Sequence, residues 1–292
     1  MAATFVKVAA LAIVVMLAVG CSSAPTPTPK PFPTPSLHPD CTTSAAKGRC
    51  GPYDNYPQIT GTTSSTYLGN NVWNPIPGSR QTLYATHPGN WQVTANMPAG
   101  NTAVVSYPSI GANYGQITYL PTPLTNYSSI YSSFSETMGA TAGTSAWAAY
   151  DIWLGPDKCS PAGSNCASYE VMIQHDFANN GDCTAVATAR FGGSGGVPVQ
   201  NWHLCKYGSE LIWKLGADEQ NKASEQSGSV DILSMLTWLV NHEYLPAGTG
   251  LWLVGYGWEI CSTGGANEDF LVKNFSITPT HSSSASPSPS RS

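Results

Sequence analysis

The chain has 292 residues, of which only 10% are charged, and its formal net charge is −5. This balance argues against nucleic acids and acidic polymers as partners, because binding them calls for a stripe of basic side chains. Both ends are poor in core-forming residues, which leaves roughly 240 residues, a normal size for a single β-sandwich. The abundance of Gly, Ser, Thr, Asn, Tyr and Trp indicates a neutral, hydrogen-bonding surface that suits a neutral polymer such as a polysaccharide.

The N-terminus predicts export. Lys7 precedes an apolar run over residues 8–20, which is short for a membrane span and is followed by Cys21. Residues 18–21 (Ala-Val-Gly-Cys) resemble a bacterial lipobox, so residues 1–21 are expected to be a signal peptide with lipidation at Cys21. Ordinary secretion with cleavage nearby is the alternative. We therefore expect an extracellular or cell-surface protein of a bacterium, with the membrane as a partner only through this lipid.

The rest of the chain divides into three parts. Residues 22–40 form a Pro/Thr-rich spacer, residues 41–280 contain the folded domain, and residues 281–292 form a Ser/Pro-rich tail that is expected to be disordered. Within the domain, short alternating runs separated by Gly, Pro, Asn and Ser predict an antiparallel β-sandwich. The predicted strands are 82–86, 92–95, 103–107, 146–154, 168–175, 185–191, 199–206, 211–215, 251–260 and 270–277.

One segment has helical periodicity instead. Ser229 is expected to cap a helix from residue 230 to about residue 240. The apolar residues on one face of this helix are Ile232, Leu236, Leu239 and Val240. A single helix packed on the sandwich is therefore predicted.

The cysteines are consistent with export. Short spacings predict the pairs Cys41–Cys50, Cys159–Cys166 and Cys183–Cys205, which leaves Cys261 unpaired. There is no Cys-x-x-Cys pair, and the six histidines include no pair four residues apart. We accordingly expect neither a metal site nor any other cofactor.

One carboxylate lies in an otherwise apolar and β-branched run, residues 168–174. An ionised group is costly to place in such a strand and needs a structural or chemical reason to be there. Strand alternation puts Glu170, Met172 and Gln174 on one face and the core-forming residues between them on the other. Glu170 is therefore a candidate catalytic carboxylate.

Two further acidic residues lie inside apolar strand runs, and they are the candidate partners of Glu170. Asp151 shares a face with Trp153, and Glu259 shares a face with Gly255 and Gly257, whose missing side chains are expected to leave a groove for a sugar ring. Two carboxylates that flank a bond are the minimum for retaining glycoside hydrolysis, provided that the acid keeps its proton near neutral pH. The alternative is that each is a strand carboxylate with purely structural partners.

Several short motifs follow one another between residues 67 and 277. They are Asn70-Asn71-Val72-Trp73-Asn74, Ser106-Tyr107-Pro108, Tyr150-Asp151-Ile152-Trp153, Tyr169-Glu170-Val171-Met172-Ile173, Gly257-Trp258-Glu259 and Asn274-Phe275-Ser276. Their order and spacing resemble glycoside hydrolase family 12, the jelly-roll endoglucanases and xyloglucanases. The resemblance implies an all-β jelly-roll sandwich of two antiparallel sheets with one packed α-helix.

Carried over position by position, the resemblance implies Glu170 as the nucleophile and Glu259 as the general acid/base. It implies that Asp151 orients Glu170. The expected substrate-binding residues are Asn71, Trp73, Met172, Gln174 and Trp258, and Trp91 is a further candidate sugar platform. The implied activity is a retaining endo-β-1,4-glucanase that acts on a β-glucan polysaccharide. A monomer is the default expectation for the chain.

This sequence also departs from the family pattern. Gln174 stands where the family usually has Trp, and Asn74 replaces the usual Gly, which is expected to crowd the turn after Trp73. These departures bear on substrate preference more than on reaction type. They also leave open a second reading, a non-catalytic cell-surface glycan-binding protein on the same fold.

Overall fold

In the computed structural model, the described residues are 55–60, 65–87, 89–113, 121–156, 167–181, 183–218 and 224–282. The predicted signal peptide with Cys21, the Pro/Thr-rich spacer and residues 283–292 of the predicted tail lie outside these ranges, as do the predicted pairs Cys41–Cys50 and Cys159–Cys166. Among the described residues, no helix has the length and apolar character needed to cross a membrane.

The described part of the chain is built mainly from strands. The strands are β1 (Asn55–Thr60), β2 (Ser65–Gly69), β3 (Arg80–His87), β4 (Asn90–Asn96), β5 (Ser109–Asn113), β6 (Thr122–Pro123), β7 (Tyr127–Met138), β8 (Thr144–Pro156), β9 (Tyr169–Ala178), β10 (Ala187–Phe191), β11 (Gln200–Tyr207), β12 (Glu210–Leu215), β13 (Ser227–Asp231), β14 (Thr249–Thr263) and β15 (Glu268–His281). A short 3-10 helix (Leu124–Asn126) precedes β7, and the α-helix α1 (Ile232–Asn241) lies between β13 and β14.

These strands form two sheets, as predicted for a sandwich. The larger sheet has ten strands in the order β1-β2-β5-β14-β8-β9-β12-β11-β10, with β6 paired to β14. The smaller sheet has five strands in the order β13-β7-β15-β4-β3. All pairs in the larger sheet are antiparallel except β9 with β12, which run parallel. The main core lies between the sheets and takes side chains from both of them and from α1.

Alternation along β9 gives the larger sheet two different faces. Val171 and Ile173 are completely buried in the main core, as predicted. Met172 points the other way, into a second apolar cluster built from β8, β9, β11, β12, β14 and the segment around Val104. We call this second side, turned away from the smaller sheet, the outer face.

The helix begins later than the sequence predicted. Its N-cap is Asp231, whose carboxylate accepts a hydrogen bond from the backbone N–H of Ser234 at 3.1 Å. Ser229 and Val230 lie in β13 and pair with β7, so the predicted cap at Ser229 is wrong. An Asp cap satisfies the first backbone donors of a helix as well as a Ser cap does, and strand pairing claims the residues before it.

Strand β7 was not predicted, although it is an interior strand of the smaller sheet, between β13 and β15. Its buried positions include Ile130, Ser132, Phe134 and Glu136. Because a serine and a glutamate occupy inward positions, the apolar alternation that indicates a strand is interrupted. Conversely, the predicted strand 103–107 forms only one isolated bridge, from Ser106 to Ile260.

The predicted disulfide Cys183–Cys205 is confirmed. Cys261 is also disulfide-bonded, so the prediction that it is unpaired is wrong. A thiolate nucleophile is thereby excluded at that position. Within the described residues, Cys183, His203 and Cys205 are the side chains grouped as metal ligands would be, and the bond between the two sulfurs removes both thiolates.

Candidate active site

Four neighbouring strands of the larger sheet bring acidic side chains to the outer face. In strand order these are Glu259 on β14, Asp151 on β8, Glu170 on β9 and Glu210 on β12. Asp151 is the register partner of Met172, and Glu170 is the register partner of Trp153, so the two carboxylates are diagonal neighbours across the β8–β9 pair. The structure thus brings together the three carboxylates predicted from the sequence and adds a fourth.

The Asp151 side chain is held in place from its own strand. It is 8% exposed, and its Oδ2 accepts a hydrogen bond of 3.0 Å from the indole N–H of Trp153. Burial raises the pKa of Asp151 to about 6, while the hydrogen bond from Trp153 acts in the opposite direction. A buried carboxyl with one fixed donor has a defined orientation, which suits it to position a neighbour.

That neighbour is Glu170. The two carboxyl groups meet directly, and the contact is a hydrogen bond only when one of them carries a proton. Burial raises the pKa of Glu170 well above its ordinary value, and the negative charges of Asp151, Glu210 and Glu259 raise it further. Asp151 and Glu170 therefore share a proton and titrate as a pair.

Glu259 lies opposite Trp147 in the β8–β14 pair and is partly exposed on the outer face. Burial raises its pKa well above the ordinary value, and the charges of Glu210 and Asp151 add to the shift. The indole N–H of Trp147 faces the Glu259 carboxyl and favours its charged form, although the contact falls outside hydrogen-bond geometry. Burial and the neighbouring charges both favour the protonated form of Glu259, the state required of an acid.

Sequence reasoning missed Glu210. It follows Gly208 and Ser209 at the turn between β11 and β12, a context typical of a solvated surface acid. In the structure it is only 7% exposed, and burial followed by the charge of Asp151 raises its pKa to about 8. Its position beside Glu170 depends on the parallel β9–β12 pairing, which no local pattern reveals.

Asn71 and Trp73 lie in the segment between β2 and β3. The Asn71 side chain donates to the carbonyl of Tyr107 at 3.1 Å, and the Tyr107 N–H donates back to the Asn71 carbonyl at 3.0 Å. Asn74, which was expected to crowd the turn, donates from its side chain to the carbonyl of Val104 at 2.8 Å. Trp73 is partly exposed and packs on the second apolar cluster, so it presents an aromatic surface at the edge of the site.

Two tryptophans proposed as sugar contacts are buried in the core instead. Trp258 is completely buried and Trp91 is 1% exposed, and their rings meet edge to face with centroids 5.1 Å apart. Because Trp258 lies between Gly257 and Glu259, which are both on the outer face, alternation turns it into the main core and away from the acid. The predictions that Trp258 and Trp91 contact substrate are therefore wrong.

Met172 and Gln174 lie on the outer face, but both are buried beneath neighbouring side chains. Both are 2% exposed. The Gln174 side chain accepts a hydrogen bond from the Asn180 amide at 2.9 Å and donates to the Met172 sulfur at 3.8 Å. Both ends of the amide that replaces the usual tryptophan thus have partners within the protein, and one of them ties the segment after β9 to the sheet.

The groove predicted at the two glycines of β14 is filled. A Cβ at Gly257 would lie 2.0 Å from the carbonyl oxygen of Pro108, and one at Gly255 would lie 3.4 Å from the ring of Tyr107. The segment leading into β5 therefore occupies the space that the missing side chains leave. Glycine is needed at Gly257 for this close approach of two backbones, and not for access by a sugar.

A scan against protein-family models gives no match, and a search of curated proteins gives none either. Solved structures do match. A family 12 xyloglucanase from Bacillus licheniformis with a bound ligand is 23% identical, with a TM-score of 0.63 over 80% of this chain and 100% of that one. An endoglucanase from Rhodothermus marinus is 22% identical, with a TM-score of 0.63 over 80% and 99%.

A third similar structure is the xyloglucanase domain of a type three effector from Sinorhizobium fredii in complex with cellobiose, which is 22% identical with a TM-score of 0.59 over 80% and 98%. The match includes nearly the whole length of each of these three proteins, so the similarity extends over a complete fold. The chain has the jelly-roll fold of the family 12 glycoside hydrolases, as the motifs implied.

Proposed function

We propose that this chain is a glycoside hydrolase, a retaining endo-β-1,4-glucanase acting on cellulose-like, mixed-linkage or xyloglucan chains. The observation that carries the proposal is the arrangement on the outer face: Glu170 meets Asp151, and the charge of Glu259 acts on Glu170 from two strands away. Retaining glycosidases need one carboxylate that attacks and one acid that protonates the leaving oxygen.

In the first step, a Glu170 oxygen attacks the anomeric carbon, and the bond from that carbon to the bridging oxygen breaks. Glu259 gives its proton to the departing oxygen, which leaves a sugar esterified to Glu170. In the second step, Glu259 takes a proton from a water molecule whose oxygen attacks the same carbon, and Glu170 departs as a carboxylate. The protein ends as it began, and one water has been consumed.

The electrostatics of the site suit these roles. Burial and the neighbouring carboxylates raise the pKa of Glu259 and so favour the protonated form that the first step requires. The attack requires the proton of the Asp151–Glu170 pair to reside on Asp151, which then donates to Glu170 and leaves it ionised. The shared hydrogen bond and the Trp153 N–H together orient the nucleophile.

Two observations support a glucan as the substrate. Structures with the same fold include one in complex with cellobiose and one soaked with a thio cellotetraose. Trp73 offers a partly exposed ring at the edge of the site, where an apolar sugar face can stack. We also propose that the protein acts outside the cell as a monomer, either secreted or held at the surface by a lipid on Cys21.

The test measures reducing-end release from carboxymethylcellulose, barley β-glucan and xyloglucan. Glu170→Gln should abolish release while glucan binding persists, and Glu259→Gln should lower it by about 100- to 10,000-fold. Glu243→Gln, at an exposed glutamate after α1, is the matched control and should behave as the wild type. Full activity of Glu170→Gln would rule out this assignment. A wild type that binds these glucans without cleaving them would instead establish the non-catalytic glycan-binding protein.

A further inference from the structure

Glu210 lies directly beside the proposed nucleophile. The two residues are register partners in the parallel β9–β12 pair, so their side chains leave the sheet on the same face and in the same direction. The backbone N–H of Glu170 donates to the carbonyl of Ser209, at 3.3 Å, which fixes the relative height of the two strands. Asp151 therefore flanks Glu170 on one side, and Glu210 flanks it on the other.

The Glu210 carboxyl is buried without a complete set of partners. The side chain is 7% exposed, and its Oε2 is shielded from solvent and has no hydrogen-bond partner among the described residues. Leaving a polar atom buried and unpaired costs free energy, so such atoms in native proteins usually have a specific reason. Such an oxygen, next to a reacting group, can gain its missing hydrogen-bond partner when a ligand binds.

The groups around Glu210 determine its charge. Glu170 faces it from β9, Asp151 from β8, Glu259 from β14 and Tyr207 from the paired position of β11. On the same face of β12, the ammonium of Lys214 donates to the carbonyl of Gly181 at 2.7 Å. Burial and the charge of Asp151 raise the pKa of Glu210 to about 8, so this carboxyl carries its proton at neutral pH and offers an O–H donor.

We propose that Glu210 is a further substrate-binding residue, which donates a hydrogen bond from its neutral carboxyl to a hydroxyl of the glucosyl ring that Glu170 attacks. The inference rests on the proposed function for the identity of that ring. A neutral Glu210 gives the site a donor within reach of a sugar hydroxyl. An ionised Glu210 would instead repel the ionised nucleophile. The ligand class is a pyranose that bears a free hydroxyl at the position facing β12.

The experiment compares two replacements of similar size. Glu210→Gln keeps a donor and cannot ionise, whereas Glu210→Met keeps the volume and has no donor. On cellotetraose, Glu210→Met should lose at least about tenfold in kcat/KM, as expected for one lost hydrogen bond in a buried site, and Glu210→Gln should stay within about threefold of the wild type. Equal kcat/KM for folded Glu210→Met and wild type would overturn the proposal, and so would an equal loss in both variants.

A set of monodeoxy cellobiosides identifies the hydroxyl. Removing one particular hydroxyl should weaken the wild-type reaction about tenfold and should have no further effect in Glu210→Met, because the donor is already absent. The wild-type KM should also rise above pH 8 as Glu210 loses its proton, and Glu210→Gln should lack that rise. Additive losses at every deoxy position, together with the same alkaline rise in Glu210→Gln, would contradict the assignment.

Binding separates this inference from the hydrolase proposal. Calorimetry with cellotetraose compares Glu170→Gln with the double variant Glu170→Gln, Glu210→Met. If the wild type cleaves no glucan but the double variant binds about tenfold more weakly than the single one, the hydrolase proposal fails and the role of Glu210 stands. If the wild type cleaves glucan and the two variants bind equally, the hydrolase proposal stands and the role of Glu210 fails.

Discussion

Glu136 provides a test of the buried acids that is independent of any substrate. It lies on the inner face of β7, is 1% exposed, and meets the carboxyl of Asp176 on β9 between the two sheets. Burial and then the charge of Asp176 raise the pKa of Glu136 from 4.5 to about 9, while Trp258 and Lys273 oppose the shift. The protonated form is therefore the one that the folded protein accommodates.

The sign of the pH dependence follows from this shift. Between pH 4.5 and about 9 the folded protein holds a proton that the unfolded chain has released. The contribution of Glu136 to stability is thus complete below pH 4.5 and falls by about 1.4 kcal/mol per pH unit as the pH rises through this window. At pH 7 the accumulated loss is about 3 kcal/mol.

Glu136→Gln removes this dependence, because the amide is neutral at every pH and can still donate to Asp176. The assay is the free energy of unfolding from urea titrations at pH 5 and pH 8. The free energy of unfolding of the variant, relative to that of the wild type, should increase by about 4 kcal/mol from pH 5 to pH 8. Glu243→Gln is the control and should show no such trend. A difference for Glu136→Gln that stays constant within about 1 kcal/mol would refute the reasoning.

Two further predictions concern stability. Gly257→Ala should destabilise the fold by about 3 kcal/mol or more in urea titrations, because its Cβ would strike the carbonyl of Pro108, whereas the matched Gly255→Ala meets only ordinary contacts and should cost less. Equal losses for the two would contradict this account. Replacing Cys183 and Cys205 together by Ser should lower the free energy of unfolding by about 3 kcal/mol, because the disulfide closes a loop between residues 22 apart in sequence. A loss under about 1 kcal/mol would contradict this expectation.

The parts of the fold that follow from side-chain alternation could be predicted from the sequence. The runs around Asp151, Glu170 and Glu259 each place one carboxylate opposite a set of core residues, and the structure has all three on the outer face. The same rule contradicts the prediction for Trp258, since neighbours along a strand point to opposite faces.

Other features depend on contacts between distant strands. Strand β7 has Ser132 and Glu136 at inward positions, where partners on the opposing sheet accommodate them, so its local pattern does not look apolar enough. Glu210 follows a turn and resembles a solvated acid until the parallel pairing of β12 places it beside Glu170. The filled space at Gly257 likewise depends on Pro108, which lies far away in sequence.

The most direct test of the central claim is to trap the covalent intermediate. The purified protein is incubated with an activated 2-deoxy-2-fluoro-β-cellobioside, whose fluorine slows the second step more than the first, and is then mapped by peptide mass spectrometry. We expect one added fluorocellobiosyl group on Glu170, and none in Glu170→Gln. An unmodified wild type that still hydrolyses glucan, or a sugar attached to a different residue, would contradict the account.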